Sequence, residues 1–250
     1  MPTEICNGIE LAAQTDIGCH RQNNEDRFAY DLPLGIFAVS DGMGGCAGGE
    51  IASQMAVEQL ITAYRLLHNS TSSPISISDA LYHAVASANA AVYARAESDP
   101  SLRGMGATLV AIAVEGTSAV IANIGDSRAY LLRQNTATQI TLDHSFLAEQ
   151  VREGTIQARD AANSPLQSTI TRAIGIGAVV EADLFAAELE PGDRILLASD
   201  GLTRYVHDEE IATMTSPATA SDAACAALIE LARNRGGADN VTCLLLHWLE

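Results

Sequence analysis

The chain has 250 residues, of which 48% are hydrophobic and only 4% aromatic, so its core has to be built mainly from small aliphatic side chains. Acidic residues outnumber arginines 31 to 14, there is no lysine, and the net charge is −17 at pH 7. A surface this negative disfavours nucleic acid and anionic membranes as partners and is compatible with cations, and because the sequence shows neither a membrane-spanning run nor a secretory signal, we expect a cytoplasmic protein.

The first half of the chain predicts short strands followed by two helices. Strands are predicted at residues 9–15, 27–31 and 35–40, and a helix at residues 50–67. The Ser-rich segment 69–78 is typical of a linker and ends at Ser78, which we predict to cap the second helix. This helix stops before Pro100.

The second half of the chain is richer in strands. Strands are predicted at residues 109–114, 119–124, 128–133, 184–189, 194–199 and 241–248, a mostly helical insert at 144–173, and helices at 208–214 and 218–235. Helices therefore occur in pairs and strands in hairpin runs, which favours a β-sandwich with helix pairs on its outer faces over a doubly wound sheet. We expect an α+β protein with a single domain.

The stretch VSDGMGGCAGGE at residues 39–50 fits two kinds of loop. Residues 42–47 match the G-x-G-x-x-A fingerprint of dinucleotide-binding loops. Such a loop needs an acidic residue at the end of a second strand about 20 residues later, where this chain has the end of a helix. Asp41 would also direct a negative charge at the pyrophosphate. We therefore reject the dinucleotide interpretation and expect Asp41 to bind a metal ion.

Further carboxylates beside strand-like runs support a metal site. They are Asp126, Asp200 and Asp239 in Gly-containing turns and the pair Glu25-Asp26. Carboxylates placed in this way can meet at one edge of a sheet, and oxygen ligands suit Mg²⁺ or Mn²⁺. Each of these residues alone could be an ordinary turn residue. Several of them in one chain indicate a metal site.

Six motifs in order carry a resemblance to a known family. They are TDIGCHRQNNED, VSDGMGGCAGGE, GMGAT, NIGDSRAYLLR, ASDGLTRYV and GGADNVT. Between about Leu11 and Leu246 the chain resembles the bacterial form of the metal-dependent protein Ser/Thr phosphatases (type 2C, PPM). The resemblance implies a four-layer α-β-β-α sandwich, formed by one domain over residues 1–250 with a flap insert at about 144–180.

The resemblance also implies two Mg²⁺ or Mn²⁺ ions and an attacking water between them. Asp41 would bridge both ions, Asp200 and Asp239 would complete one, and the Gly42 carbonyl and waters the other. Glu25 would act mostly through a coordinated water, and Asp26 and Asn240 would support the ligands. A shared carboxylate is physically reasonable because two dications at short separation repel each other strongly.

Three positions have two interpretations each. Arg21 matches the phosphate-binding arginine of the family, or it is an ordinary surface arginine. Asp126 would help Asp200 to hold a third, weaker ion, or it is a plain turn residue. Cys46 stands where relatives usually carry histidine; we expect it to pack as a small residue rather than to bind a hard metal ion.

The predicted function is dephosphorylation of phosphoserine and phosphothreonine in phosphorylated protein substrates by a monomeric enzyme. The alternative is a catalytically weak, phosphoprotein-binding regulatory module of the same fold. Loss of a metal carboxylate would indicate that alternative, and none is missing. A nuclease or phosphodiesterase is disfavoured because the sequence has no basic track for a polyanion.

Overall fold

The computed structural model describes residues 3–43, 48–69, 75–161, 164 and 166–249. The strands are β1 (Glu4–Cys6), β2 (Ile9–Asp16), β3 (Asp26–Asp31), β4 (Ile36–Met43), β5 (Gly106–Ala107), β6 (Leu109–Glu115), β7 (Ser118–Ile124), β8 (Arg128–Arg133), β9 (Thr136–Gln139), β10 (Asp183–Glu188), β11 (Arg194–Ala198) and β12 (Val241–Trp248). The helices are α1 (Gly49–His68), α2 (Ile77–Ser98), α3 (Phe146–Arg152), α4 (Ala158–Ala161), α5 (Asp200–Thr203), α6 (Asp208–Met214) and α7 (Ser221–Asn234). None of the helices in these ranges is both long and apolar enough to cross a membrane.

The strands form two antiparallel sheets. The first has the order β1-β2-β12-β11-β8-β9, and the second has the order β10-β7-β6-β4-β3 with β5 paired to β4. In the first sheet β12 lies between β2 and β11, so the end of the described chain pairs with its beginning.

Alternation along the strands produces four layers. In β4, Phe37 and Val39 face the other sheet, while Ile36 and Ala38 face α1 and α2. In β12, Leu244 packs between the sheets and its neighbour Leu245 packs against the helical layer that contains α6 and α7. Successive side chains of a strand point to opposite faces, so each strand with two apolar faces contributes to two cores. The predicted α-β-β-α sandwich is confirmed.

Two local predictions were wrong. Helix α2 is capped by Ser76 rather than Ser78, since the Ser76 hydroxyl accepts a hydrogen bond from the Asp79 N–H at 3.0 Å. Strand β4 does not end at Ser40 but continues to Met43, because Gly42 and Met43 pair with β5. Asp41 therefore lies within a strand rather than in a turn.

The insert between β9 and β10 is also less helical than predicted. Only α3 and α4 are helical, and much of its remaining described part consists of turns and bends. The insert is attached to the second sheet by a bridge between Ala107 and Ile174. It is also attached to α2 by Asn89, whose side-chain oxygen accepts a hydrogen bond from the Gly175 N–H at 2.8 Å. These attachments hold the insert beside the end of β4.

Candidate active site

The predicted site residues come together because several strands end on the same side of the sandwich. Asp41 is near the end of β4, Asp126 follows β7, Asp200 follows β11 and Asp239 precedes β12. Their side chains line one cleft of about 270 Å³, together with Arg21, Glu25 and Gly42. The predicted convergence of the carboxylates is therefore observed, while the role of each residue stays a prediction.

Backbone contacts fix the position of Asp41. Its N–H donates to the Thr108 hydroxyl at 2.9 Å, and its carbonyl accepts from the Thr108 N–H at 2.8 Å. The next residue, Gly42, lies so close to the start of α1 that a Cβ atom there would be 2.1 Å from the Gly49 carbonyl oxygen. Glycine is thus required for the approach that leaves the Asp41 carboxyl at the cleft.

Asn240 organises the loop that carries Arg21 and Glu25. Its side-chain oxygen accepts a hydrogen bond from the Glu25 N–H at 2.8 Å, and its amide donates to the carbonyls of Ile17 and Asn23 at 3.0 and 2.9 Å. One amide side chain therefore joins the turn before β12 to both sides of this loop. The predicted role of Asn240 in supporting metal ligands stays a prediction.

Four aspartates at the site are difficult to ionise. Burial raises the pKa of Asp26 and of Asp126 to about 7, with neighbouring carboxylates adding to the effect. Burial, and then the charges of Asp26 and Asp200, raise the pKa of Asp41 well above its usual range. Burial also raises the pKa of Asp200, although the charge of Arg204 opposes the rise. Crowded, buried carboxyls of this kind are stabilised as anions by a cation placed among them.

Asp26 lies behind this cleft rather than on its lining. It is fully buried, and its Oδ2 accepts a hydrogen bond from the Ser199 hydroxyl at 2.7 Å. Its Oδ1 has no hydrogen-bond partner within the described ranges. Register places Asp26 opposite Asp41 in the β3–β4 pair. The negative charge of Asp26 therefore acts on the Asp41 carboxyl from the interior of the protein.

Two arginines hold the carboxylates that were predicted to bind metal. Arg21 donates from Nη2 to Asp239 at 2.9 Å, and Arg204 donates from Nη2 to Oδ2 of Asp200. In the part of the chain that the structure describes, no three His, Cys, Asp or Glu side chains close around a single point as a finished metal site. The donors nevertheless fit Mg²⁺ or Mn²⁺, since they are hard oxygens and the buried Oδ1 of Asp200 has no hydrogen-bond partner among the described residues.

The insert contributes one wall of the cleft through Ser168 and Ile170. On the far side of Arg204 lies an adjoining groove of about 650 Å³. Its lining includes Leu147 and Arg152, and it shares Asp126, Asp200 and Arg204 with the cleft. The cleft and the groove therefore adjoin each other beside the insert.

Sequence reasoning missed three residues that shape the site: Thr108, Ser199 and Arg204. Thr108 ends the motif GMGAT, but only the pairing of β4 with its neighbours shows that it orders Asp41. Arg204 follows Asp200 by four residues, a spacing that brings side chains together on a helix and could have indicated the contact. Cys46 lies outside the described residues.

Comparisons with known proteins agree with this geometry. The family described as Protein phosphatase 2C matches residues 20–245. The serine/threonine phosphatase Stp of Listeria welshimeri is 38% identical over 236 residues, covering 93% of each chain. A crystal structure of the serine/threonine phosphatase PstP/Ppp of Mycobacterium tuberculosis aligns with a TM-score of 0.87 at 39% identity, covering 97% of this chain and 99% of that one.

A second solved structure concerns the metal ions directly. The catalytic domain of PstP in complex with two manganese ions aligns with a TM-score of 0.85 at 37% identity, covering 97% of this chain and 99% of that chain. The fold, the motifs and these similarities lead to one assignment. The chain belongs to the protein phosphatase 2C family.

Proposed function

We propose that this protein is a metal-dependent phosphatase that hydrolyses phosphoserine and phosphothreonine monoesters in proteins. The observation that carries the proposal is a single cleft lined by Arg21, Glu25, Asp41, Asp126, Asp200 and Asp239. The relatives named as serine/threonine phosphatases support this substrate class. We also expect a cytoplasmic monomer.

Two divalent ions would be held by residues of this cleft. Asp41 would contact both ions, Asp200 and Asp239 would complete the set of one, and the Gly42 carbonyl would serve the other, with Glu25 acting through water. When bound, the ions supply Lewis acidity that polarises the phosphoester and makes a water more acidic. The protein supplies the placement, through the Thr108 contacts to Asp41 and the Asn240 contacts to the Glu25 loop.

Arg21 would bind the phosphate. Its side chain is 48% exposed and lies at the cleft, where it pairs with Asp239. Once Asp239 serves as a metal ligand, the planar guanidinium is free to hold two phosphate oxygens. This cation also reduces the repulsion between a phosphate dianion and a protein of charge −17.

A third, weaker ion would lie between Asp126 and Asp200. Both side chains are buried, both residues border the cleft and the adjoining groove, and each raises the pKa of a neighbouring carboxyl. The pair is less accessible to a dication than Asp41 is, since Arg204 already contacts Asp200.

The test is hydrolysis of p-nitrophenyl phosphate and of a phosphothreonine peptide, with Mn²⁺ and with EDTA. We expect turnover only with Mn²⁺, and nearly complete loss in Asp41→Ala and Asp239→Ala. Glu115→Gln is the matched control, because this exposed carboxylate lies in the β6–β7 hairpin, at the end of β6 away from Leu109 and the cleft. Full activity in EDTA would contradict the proposal. Phosphopeptide binding without hydrolysis would instead favour the regulatory module.

A further inference from the structure

The contact between Arg204 and Asp200 is built into the fold. Arg204 ends the short helix α5, and its N–H donates to the Asp200 carbonyl at 2.9 Å. This turn places the guanidinium over the Asp200 carboxyl, where it binds Oδ2. Both side chains are largely buried, with 29% of Arg204 and 11% of Asp200 exposed.

The two oxygens of Asp200 are in different situations. Oδ1 is buried and has no hydrogen-bond partner among the described residues, so it is available as a ligand. Oδ2 is taken by Arg204. Arg204 borders both the cleft and the adjoining groove, as Asp126 and Asp200 do, so its side chain lies in the same region as both carboxylates.

Arg204 has no competing acidic partner in the described ranges. The other nearby arginine, Arg128, is committed to Asp143 through contacts of 3.0 and 2.7 Å and to the Tyr130 hydroxyl at 3.1 Å. Among the described residues, Arg204 forms its ion pair with Asp200. Arg204 is therefore the arginine that pairs directly with Asp200, whereas the side chain of Arg128 is held by Asp143.

We propose that Arg204 is a built-in competitor of the third divalent ion. The inference rests on the proposed function, since it assumes that Asp200 is a metal ligand. An ion that uses Oδ2 of Asp200 together with Asp126 has to displace the guanidinium, because one oxygen cannot serve both cations and like charges at this distance repel each other. An ion that uses Oδ1 is not in this competition. Arg204 thus weakens the third site and spares the first two.

Mn²⁺ binding tests this directly. Free Mn²⁺ is followed by its electron paramagnetic resonance signal while the metal-free protein is titrated, which counts bound ions without any turnover. We expect two tighter ions in the wild type and in Arg204→Gln, and a third ion that binds about tenfold more tightly in the variant, a change that corresponds to ~1.4 kcal/mol. Arg204→Gln combined with Asp126→Ala should lose this gain.

Two further variants separate charge from packing. Arg204→Lys keeps a positive charge and should keep the third ion weak. Arg95→Gln removes an arginine from another i,i+4 pair, with Asp99 at 3.0 Å at the end of α2, and should leave the isotherm unchanged. An unchanged third ion in Arg204→Gln, or a third ion in neither protein, would overturn the role of Arg204. Absence of the first two ions from the wild type would overturn the proposed function instead.

Discussion

Replacing Asp26 by asparagine should stabilise the metal-free protein at alkaline pH. Asp26 is fully buried, faces the carboxylates of the cleft, and has the Ser199 hydroxyl rather than a cation as its partner among the described residues. Its pKa rises from 3.8 to about 7 on folding, mainly because of burial. At pH 8 the folded protein therefore holds a carboxylate that the interior disfavours.

Proton linkage gives the sign and the size of the expected change in the free energy of unfolding. Between pH values of about 4 and 7, Asp26 is protonated in the folded chain and ionised in the unfolded chain, so the free energy of unfolding falls as the pH rises. Above about 7 this contribution is fully lost, which amounts to ~4 kcal/mol at ~1.4 kcal/mol for each tenfold change in proton affinity. A neutral amide makes a weaker hydrogen bond with Ser199 than a carboxylate does, so we expect a net gain of ~2–4 kcal/mol for Asp26→Asn.

The assay is urea unfolding in EDTA at pH 5 and pH 8. The advantage of Asp26→Asn should be largest at pH 8 and fall by more than half at pH 5. Asp193→Asn is the control, because Asp193 is equally buried but accepts hydrogen bonds from Arg133 at 2.8 and 2.5 Å. Loss of the negative charge opposite Arg133 should destabilise the control at both pH values. If Asp26→Asn gained nothing at pH 8, or gained equally at both, burial of an unpaired charge would not explain the site.

Three other substitutions test single residues. Arg21→Ala should raise KM for a small phosphoester more than it lowers kcat, since ground-state phosphate binding is lost; an unchanged KM in steady-state kinetics would place Arg21 on the transition state. Asp126→Ala should still bind the two tighter metal ions but should need a higher Mn²⁺ concentration for full activity. An unaltered Mn²⁺ titration would identify Asp126 as a turn residue. Cys46→Ser should keep kcat within a few-fold, because a thiol is a poor ligand for hard ions; a collapse of activity in a variant that is folded by circular dichroism would assign the thiol a catalytic role.

The sandwich was predictable because its signals are local and repeated. Continuous apolar runs in β4 and β12 supply two buried faces each, which places these strands inside a layered fold whatever their partners. The helix pair α1 and α2 was predictable from apolar spacing for the same reason. Sequence patterns are less informative for segments that are too short to show a periodicity. The two-residue strand β5 and the mostly turn-forming insert have too little pattern of their own and depend on contacts such as that of Ala107 with Ile174.

The chemical groups of the candidate site were recognisable from the residues alone: carboxylates in turns and at strand ends, an arginine near them, and an acidic chain without lysine. These are properties of residue types and of short spacing, so they can be identified before folding. How these charges are arranged became visible in the folded chain. Asp26 lies buried behind Asp41, Arg21 holds Asp239 from 218 positions away, and Arg204 takes one oxygen of Asp200 and leaves the other. Burial and pairing depend on which strands become neighbours, and packing across the whole chain selects those neighbours.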